Sequence, residues 1–262
     1  MREIDIFNYD WRKEKLPSIH VSETKEGLLE IIANRFLELV SSISMQKNKK
    51  SFSVIMGGGR TPKELNKNIV KFSTGKKIDW NRVTIFFSDE RCVPPEHSDS
   101  NYKLIFDTLI EPLEIPHRNI FRILGELEPK KAASKYHKKL TEFSGNKQSP
   151  VFDLVLLGFG ADGHTASLFP NSEALKTNHH FAAPGGIGPE GWNRVTVTFP
   201  VFNSAKNVWL IGTGAEKSHA FKQLIEGNYD PIQWPVQGIF PLNGTLIYWI
   251  DSAIRDGARI SR

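Results

Sequence analysis

A chain of 262 residues, 39% hydrophobic and 24% charged, has the composition of an ordinary globular protein and length enough to bury a sizeable core. Its net charge of +5 comes from scattered lysines, apart from short clusters at residues 47–50 and 138–139. With no Arg-rich helix or zinc-finger spacing beside them, nucleic acid is not expected as a ligand, and an anionic small molecule suits the charge better. The single cysteine, Cys92, excludes an internal disulfide and a cysteine metal cluster, and no run approaches the ~18 apolar residues of a membrane span.

In chain order, the first twenty residues mix charges with aromatics and carry no apolar h-region, so no signal peptide is expected and the chain reads as cytoplasmic. Residues 22–43 place Leu28, Leu29, Ile32, Phe36 and Val40 on one helical face behind a candidate Ser22 cap. Apolar runs at 51–57 and 82–88 read as buried strands. Glu128 and Pro129 open a second helix, with proline at a first-turn position, and 144–150 is turn-like. A strand at 153–158 follows, then a glycine-rich stretch at 184–191 that reads as a mobile loop. Further strands fall at 194–199, 207–212 and 245–250, with a helix between Gly214 and Gly227. Strand alternating with helix predicts an α/β fold with a mostly parallel sheet, and the absence of linkers or repeats predicts one domain over 1–262.

In such sheets ligands bind beyond the carboxyl ends of the strands, so the residues just after each apolar run carry the information. The first run ends in GGGRTP, where Gly58, Gly59, Arg60 and Thr61 precede a helix start and offer N–H groups, a guanidinium and a hydroxyl to an anion. The second ends in SDERCVPP, with Asp89 and Arg91 at the strand tip. The third ends in GFGADGHTASLFP, which sets Asp162 and His164 on a glycine turn. A later one, IGTGAEK, puts Lys217 in the first turn of a helix, where the positive end of the dipole makes a lysine unusual. Together these ends describe cations for an anionic substrate and an acid/base pair for chemistry.

The same third stretch spells G-x-G-x-x-G over 158–163, but no acidic residue ends a strand some 20 positions later, so a dinucleotide is not expected. The remaining histidines lack metal-ligand spacing, Ser167 lies in no G-x-S-x-G elbow, and Cys92 has no partner base and reads as a packing residue.

These motifs, with RVTVTFPVFNSAKNVWLIGTGAEK and WPVQGI…GTLIYWIDSAI, resemble the 6-phosphogluconolactonase family in type and order, from about residue 50 to 252. The resemblance implies a three-layer α/β/α fold with a Rossmann-like sheet, similar to glucosamine-6-phosphate deaminase and ribose-5-phosphate isomerase. It implies hydrolysis of 6-phospho-D-glucono-1,5-lactone, a sugar-phosphate partner, no cofactor and no metal, in a monomer or weak homo-oligomer. By resemblance, His164 activates water and Asp162 tunes it, while Gly58, Gly59, Arg60, Thr61 and Lys217 hold the phosphate. Arg91 meets the phosphate or the oxyanion, and Asp89, Asn101 and Arg194 line the same cleft. The related deaminases carry a glutamate five residues after the histidine, where this chain has Phe169. A non-catalytic sugar-phosphate-binding module is the rival, and it would have no use for His164.

Overall fold

The computed structural model describes residues 7, 9–13, 17–44, 51–145 and 147–259, so the lysine cluster at 47–50 lies outside it. The strands are β1 (Ser18–Ser22), β2 (Phe52–Met56), β3 (Val83–Phe87), β4 (Asp89–Arg91), β5 (Ile120–Phe121), β6 (Leu154–Gly158), β7 (Ala182–Ile187), β8 (Asn193–Val197), β9 (Asn207–Gly212) and β10 (Thr245–Asp251). The helices are α1 (Lys25–Ser44), α2 (Arg60–Ser73), α3 (Asn101–Ile105), α4 (Pro129–Ser144), α5 (Phe199–Phe202), α6 (Ser218–Glu226) and α7 (Ser252–Ala258); a π-helical turn, Phe106–Ile110, continues α3.

Seven strands form one parallel sheet in the order β1-β10-β9-β6-β2-β3-β5. β2 and β3 bury every residue, as the unbroken apolar runs require of strands covered on both faces. Helices supply that cover in a three-layer α/β/α arrangement, α1 packing on α2 and α6 on α7. On α1 the buried residues Leu28, Leu29, Ile32, Ala33, Phe36, Leu37 and Val40 form the expected stripe. At one end of the core Phe86 stacks on Phe121 and meets Phe143 and Phe152 at centroid distances of 4.6–5.0 Å. Each such ring contributes roughly 1.5–3 kcal/mol by leaving water.

Chain order runs outward from the sheet's centre in two directions, β2 to β3 to β5 and β6 to β9 to β10. The reversal lies between β2 and β6, and a crevice opens beyond the carboxyl ends of strands flanking such a point.

Three expectations need correction. The strand expected at 194–199 is not in the parallel sheet: β8 sits at the centre of a separate antiparallel sheet, β4-β8-β7. Its apolar run is buried by α4, so periodicity alone could not tell the two sheets apart. The stretch at 184–191, expected as a loop, is strand as far as Ile187, because backbone pairing with β8 outweighs the low strand propensity of its glycines. Ser22 does not cap α1; it ends β1, and Thr24 takes the role, its Oγ1 accepting from Gly27 N at 3.1 Å. The other helix signals read as expected, with Glu128 accepting from Lys131 N ahead of Pro129 and Gly227 ending α6.

Candidate active site

The loop after β6 is shaped by two glycines. Gly163 has φ +81°, a conformation that favours glycine, and a Cβ there would lie 2.6 Å from the Trp234 ring. A Cβ on Gly160 would lie 2.2 Å from His164 Nδ1, so only glycine lets the imidazole fold back across the turn. The turn is closed by Gly160 N donating to His164 O at 2.9 Å and Thr165 Oγ1 donating to Gly158 O at 2.8 Å.

Within it His164 Nδ1 and Asp162 Oδ1 are 2.6 Å apart. Burial works to raise the Asp162 carboxyl, but the hydrogen bond and charge of His164 outweigh it and hold the group below the usual carboxylate range. An ionised Asp162 can only accept, so Nδ1 carries the proton and Nε2 is left as the free base. His164 lines the cleft, and Phe169 packs against its ring at 5.1 Å. No helix follows this glycine run, and the dinucleotide reading falls with it.

The cleft measures about 610 Å³ and draws on the ends of β2, β3, β6 and β9. At the β2 end, Gly57, Gly58 and Gly59 lead into α2, whose first residue is Arg60. Gly58 sits so close to Asn101 that a Cβ would fall 1.8 Å from its Oδ1. Thr61 Oγ1 and Thr213 Oγ1 meet at 3.0 Å, joining the β2 and β9 loops. Lys217 faces the same space from the β9 loop. Burial lowers its pKa, and the nearby Arg60 and Lys25 add to that against Glu216 and Asp251. Lys25 is neutralised by Glu64 at 2.7 Å, whereas no described carboxylate lies within 4 Å of Arg60 or Lys217. Two cations that share a lining with no carboxylate in ion-pair contact offer charge to an anion.

The opposite wall is built on β4. Asp89 is buried and fully engaged, accepting from Ser88 Oγ at 2.9 Å, Ser167 Oγ at 2.7 Å and Asn101 Nδ2 at 3.2 Å. Arg91 Nη1 donates to Asn101 Oδ1 at 2.7 Å and to Asp99 O at 2.9 Å. Arg194, buried on β8 directly across from Arg91, donates to Glu190 through Nη2. Arg91, Asn101 and Arg194 therefore form one cluster, and Asp89 ties it to the Ser167 side of the cleft.

Several participants were not singled out from the sequence. Glu90 lies inside the DER motif, yet it points away from the cleft and accepts from Asn101 N (2.7 Å), Tyr102 N (2.8 Å), Arg91 N (2.8 Å) and Ser100 Oγ (3.1 Å). Ser88, Ser167 and Thr213 lie within quoted motifs, but nothing in those motifs distinguishes a bracing hydroxyl from a turn residue. Glu190 was hidden in the supposed loop. Cys92 packs beside the core, and burial, with the neighbouring Glu90 charge, pushes its thiol up to about 11. Among the described residues no three His, Cys, Asp or Glu side chains gather as a metal site, and no helix is long and apolar enough to cross a membrane.

Fold and cleft together define a protein of the doubly wound α/β class, with its cleft at the switch point. Residues 23–249 match the family described as glucosamine-6-phosphate isomerases/6-phosphogluconolactonase, and the chain belongs to that family. It is 32% identical to a probable 6-phosphogluconolactonase 1 of Arabidopsis thaliana, over 96% of this chain and 97% of that protein. It is 34% identical to a 6-phosphogluconolactonase of Nostoc, over 82% and 87%. Among solved structures, 6-phosphogluconolactonase from Trypanosoma cruzi superposes with a TM-score of 0.81 at 27% identity, over 92% of this chain and 96% of that one. A monomeric glucosamine-6-phosphate deaminase superposes with a TM-score of 0.77 at 16% identity, a likeness of fold alone, over 91% and 99%.

Proposed function

We propose that this cleft hydrolyses 6-phospho-D-glucono-1,5-lactone to 6-phospho-D-gluconate, in the pentose phosphate pathway, by attack of a His164-activated water on C1. Lactone hydrolysis is supported by the relatives, which carry the name 6-phosphogluconolactonase over most of the chain. The observation that carries the chemistry is the 2.6 Å pair of Asp162 with His164, which leaves Nε2 basic at the edge of an anion-binding cleft.

The phosphate docks on Gly58, Gly59, Arg60, Thr61 and Lys217, the end of the cleft where two cations have no carboxylate in ion-pair contact. C1 then lies toward His164. Nε2 takes a proton from water as its oxygen bonds to C1, and the carbonyl electrons move onto the exocyclic oxygen. Donors on the far wall, Arg91 foremost, face that developing oxyanion. Collapse of the intermediate breaks the bond from C1 to the ring oxygen, which recovers the proton from His164. Asp89 and Asn101 hold the wall in place, and Arg194 completes its positive charge. Phe169 supports hydrolysis over the isomerising reaction of the deaminases, because an apolar ring against His164 cannot carry a second proton. The steps draw on side chains and water alone, in a single domain whose two sheets share the cleft, and the cytoplasmic setting expected from the sequence goes with them.

The test is hydrolysis of freshly generated lactone, corrected for spontaneous opening, with His164→Ala beside the wild type. The variant should lose about 10²–10⁴ in kcat. A variant as fast as the wild type would remove His164 from the reaction.

A further inference from the structure

Glu190 stands apart from every other acid around the cleft. It sits on the turn joining β7 to β8, and its two carboxylate oxygens face two different arginines. Oε2 accepts from Arg194 Nη2, and Oε1 lies 3.7 Å from Arg91 Nη2. The arginines are fixed: the Arg194 side chain is 5% exposed and that of Arg91 is 19%, with Arg91 held from behind by Asn101 and Asp99. The Glu190 side chain is 51% exposed, and beside its own backbone N–H its described polar partners are the two arginines. Both arginines also bury an Nε with no acceptor, so the pair has donor capacity that Glu190 does not use.

The turn is built to let this carboxylate leave while its base stays put. Gly188 N donates to Trp192 O and Gly191 N to Gly188 O, both at 2.9 Å, and Gly191 has φ +85°. Below the turn, Trp192 is anchored by its Nε1 to Asp99 Oδ2 at 2.9 Å and by its ring against His97. The Arg194 guanidinium passes directly under Gly188, where a Cβ would lie 2.5 Å from Nε. The arginine pair therefore keeps its place whichever way Glu190 turns.

We propose that Glu190 is a resident counter-ion of the Arg91–Arg194 pair, exchanged for an oxyanion of the ligand when the cleft fills. Resting on the sugar-phosphate reading above, this makes Glu190 a specificity-determining residue. It raises the threshold for any anion at that wall and weakens retention of a product that carries one more negative charge than the lactone. The incoming group is a phosphate or the product's carboxylate, both planar-donor acceptors of the kind a guanidinium pair takes.

The experiment is calorimetric titration of wild type and Glu190→Gln at fixed ionic strength with two ligands, 6-phosphogluconate and glucitol 6-phosphate, which lacks the carboxylate. Glu173→Gln, which removes an exposed carboxylate outside the cleft that faces Lys176 instead, controls for the general field. Glu190→Gln should bind about tenfold more tightly and Glu173→Gln less than about twofold. A gain for both ligands identifies the phosphate as the exchanging group, and a gain confined to the acid identifies the carboxylate. Unchanged or weaker binding of both, or equal gains in the two variants, overturns the exchange. Failure of both ligands to bind even the wild type would instead sink the sugar-phosphate reading, and the exchange with it.

Discussion

Asp162 decides which nitrogen of His164 is free. Asparagine in its place can offer Nδ1 either an oxygen or an amide hydrogen, so part of the population would hold its proton on Nε2, the wrong atom for a base. Asp162→Asn should lower kcat by on the order of 10²-fold, less than the ~10⁴ seen when a buried triad acid is so changed, because half of this carboxylate is open to water. Steady-state kinetics on the lactone checks this, and a change confined to KM would count against it. The pair was legible in the sequence because two side chains on one glycine turn can hardly avoid each other. Glu190 was not: a glutamate beside Gly191 looks like any loop tip until the fold brings Arg91 and Arg194 beneath it.

β4 and α3 depend on a single buried acid. Glu90 satisfies the first N–H groups of α3 and the N–H of Arg91, so it sets where Asn101 and Arg91 stand without touching the cleft. Burial raises its carboxyl from 4.5 to about 7, against the backbone donors that favour the charged form, with Asp89 adding to the rise. A carboxyl that binds its proton more tightly when folded contributes stability below about pH 4.5, and that contribution disappears as pH rises through about 7. The shift corresponds to about 3 kcal/mol at most. Glu90→Gln cannot ionise, so its urea midpoint should depend less on pH between 5 and 8 than that of the wild type; parallel curves would mean Glu90 keeps its charge throughout. None of this was readable in advance, since a DER triplet at a strand tip gives no sign of which of its charges faces inward. The same blindness applies to β8, whose apolar run specifies burial but not the sheet that provides it.

At the scale of the whole molecule, the proposed anion site depends on β2 and β9, far apart in sequence, ending on the same side of the sheet. Arg60 enters from one and Lys217 from the other, bridged by the contact of Thr61 with Thr213. Arg60→Ala should raise KM about tenfold and leave kcat within about twofold, the signature of an interaction made equally in ground and transition states. A fall in kcat alone would place the phosphate elsewhere. This convergence was the most legible part of the protein, because a parallel sheet delivers every strand's carboxyl end to one edge and the informative residues follow the apolar runs directly. The short edge strands β1 and β5 escaped notice: β5 has two residues, and β1, with the pattern of a half-exposed edge, carries His20 and two serines.

That outer edge has a consequence for how the protein is made. β1 pairs only with β10, residue by residue from Ser18 opposite Ile247 to Ser22 opposite Asp251. Nearby, Trp11 stacks on Phe240 at 5.0 Å and donates to Gln237 O. During synthesis β1 thus waits, unpaired, for β10, more than 220 residues later in the chain. The interior of the sheet can assemble around β2, β3 and β6 during synthesis, whereas its β1 margin closes only once β10 has been made, a long-range step of the kind that slows folding.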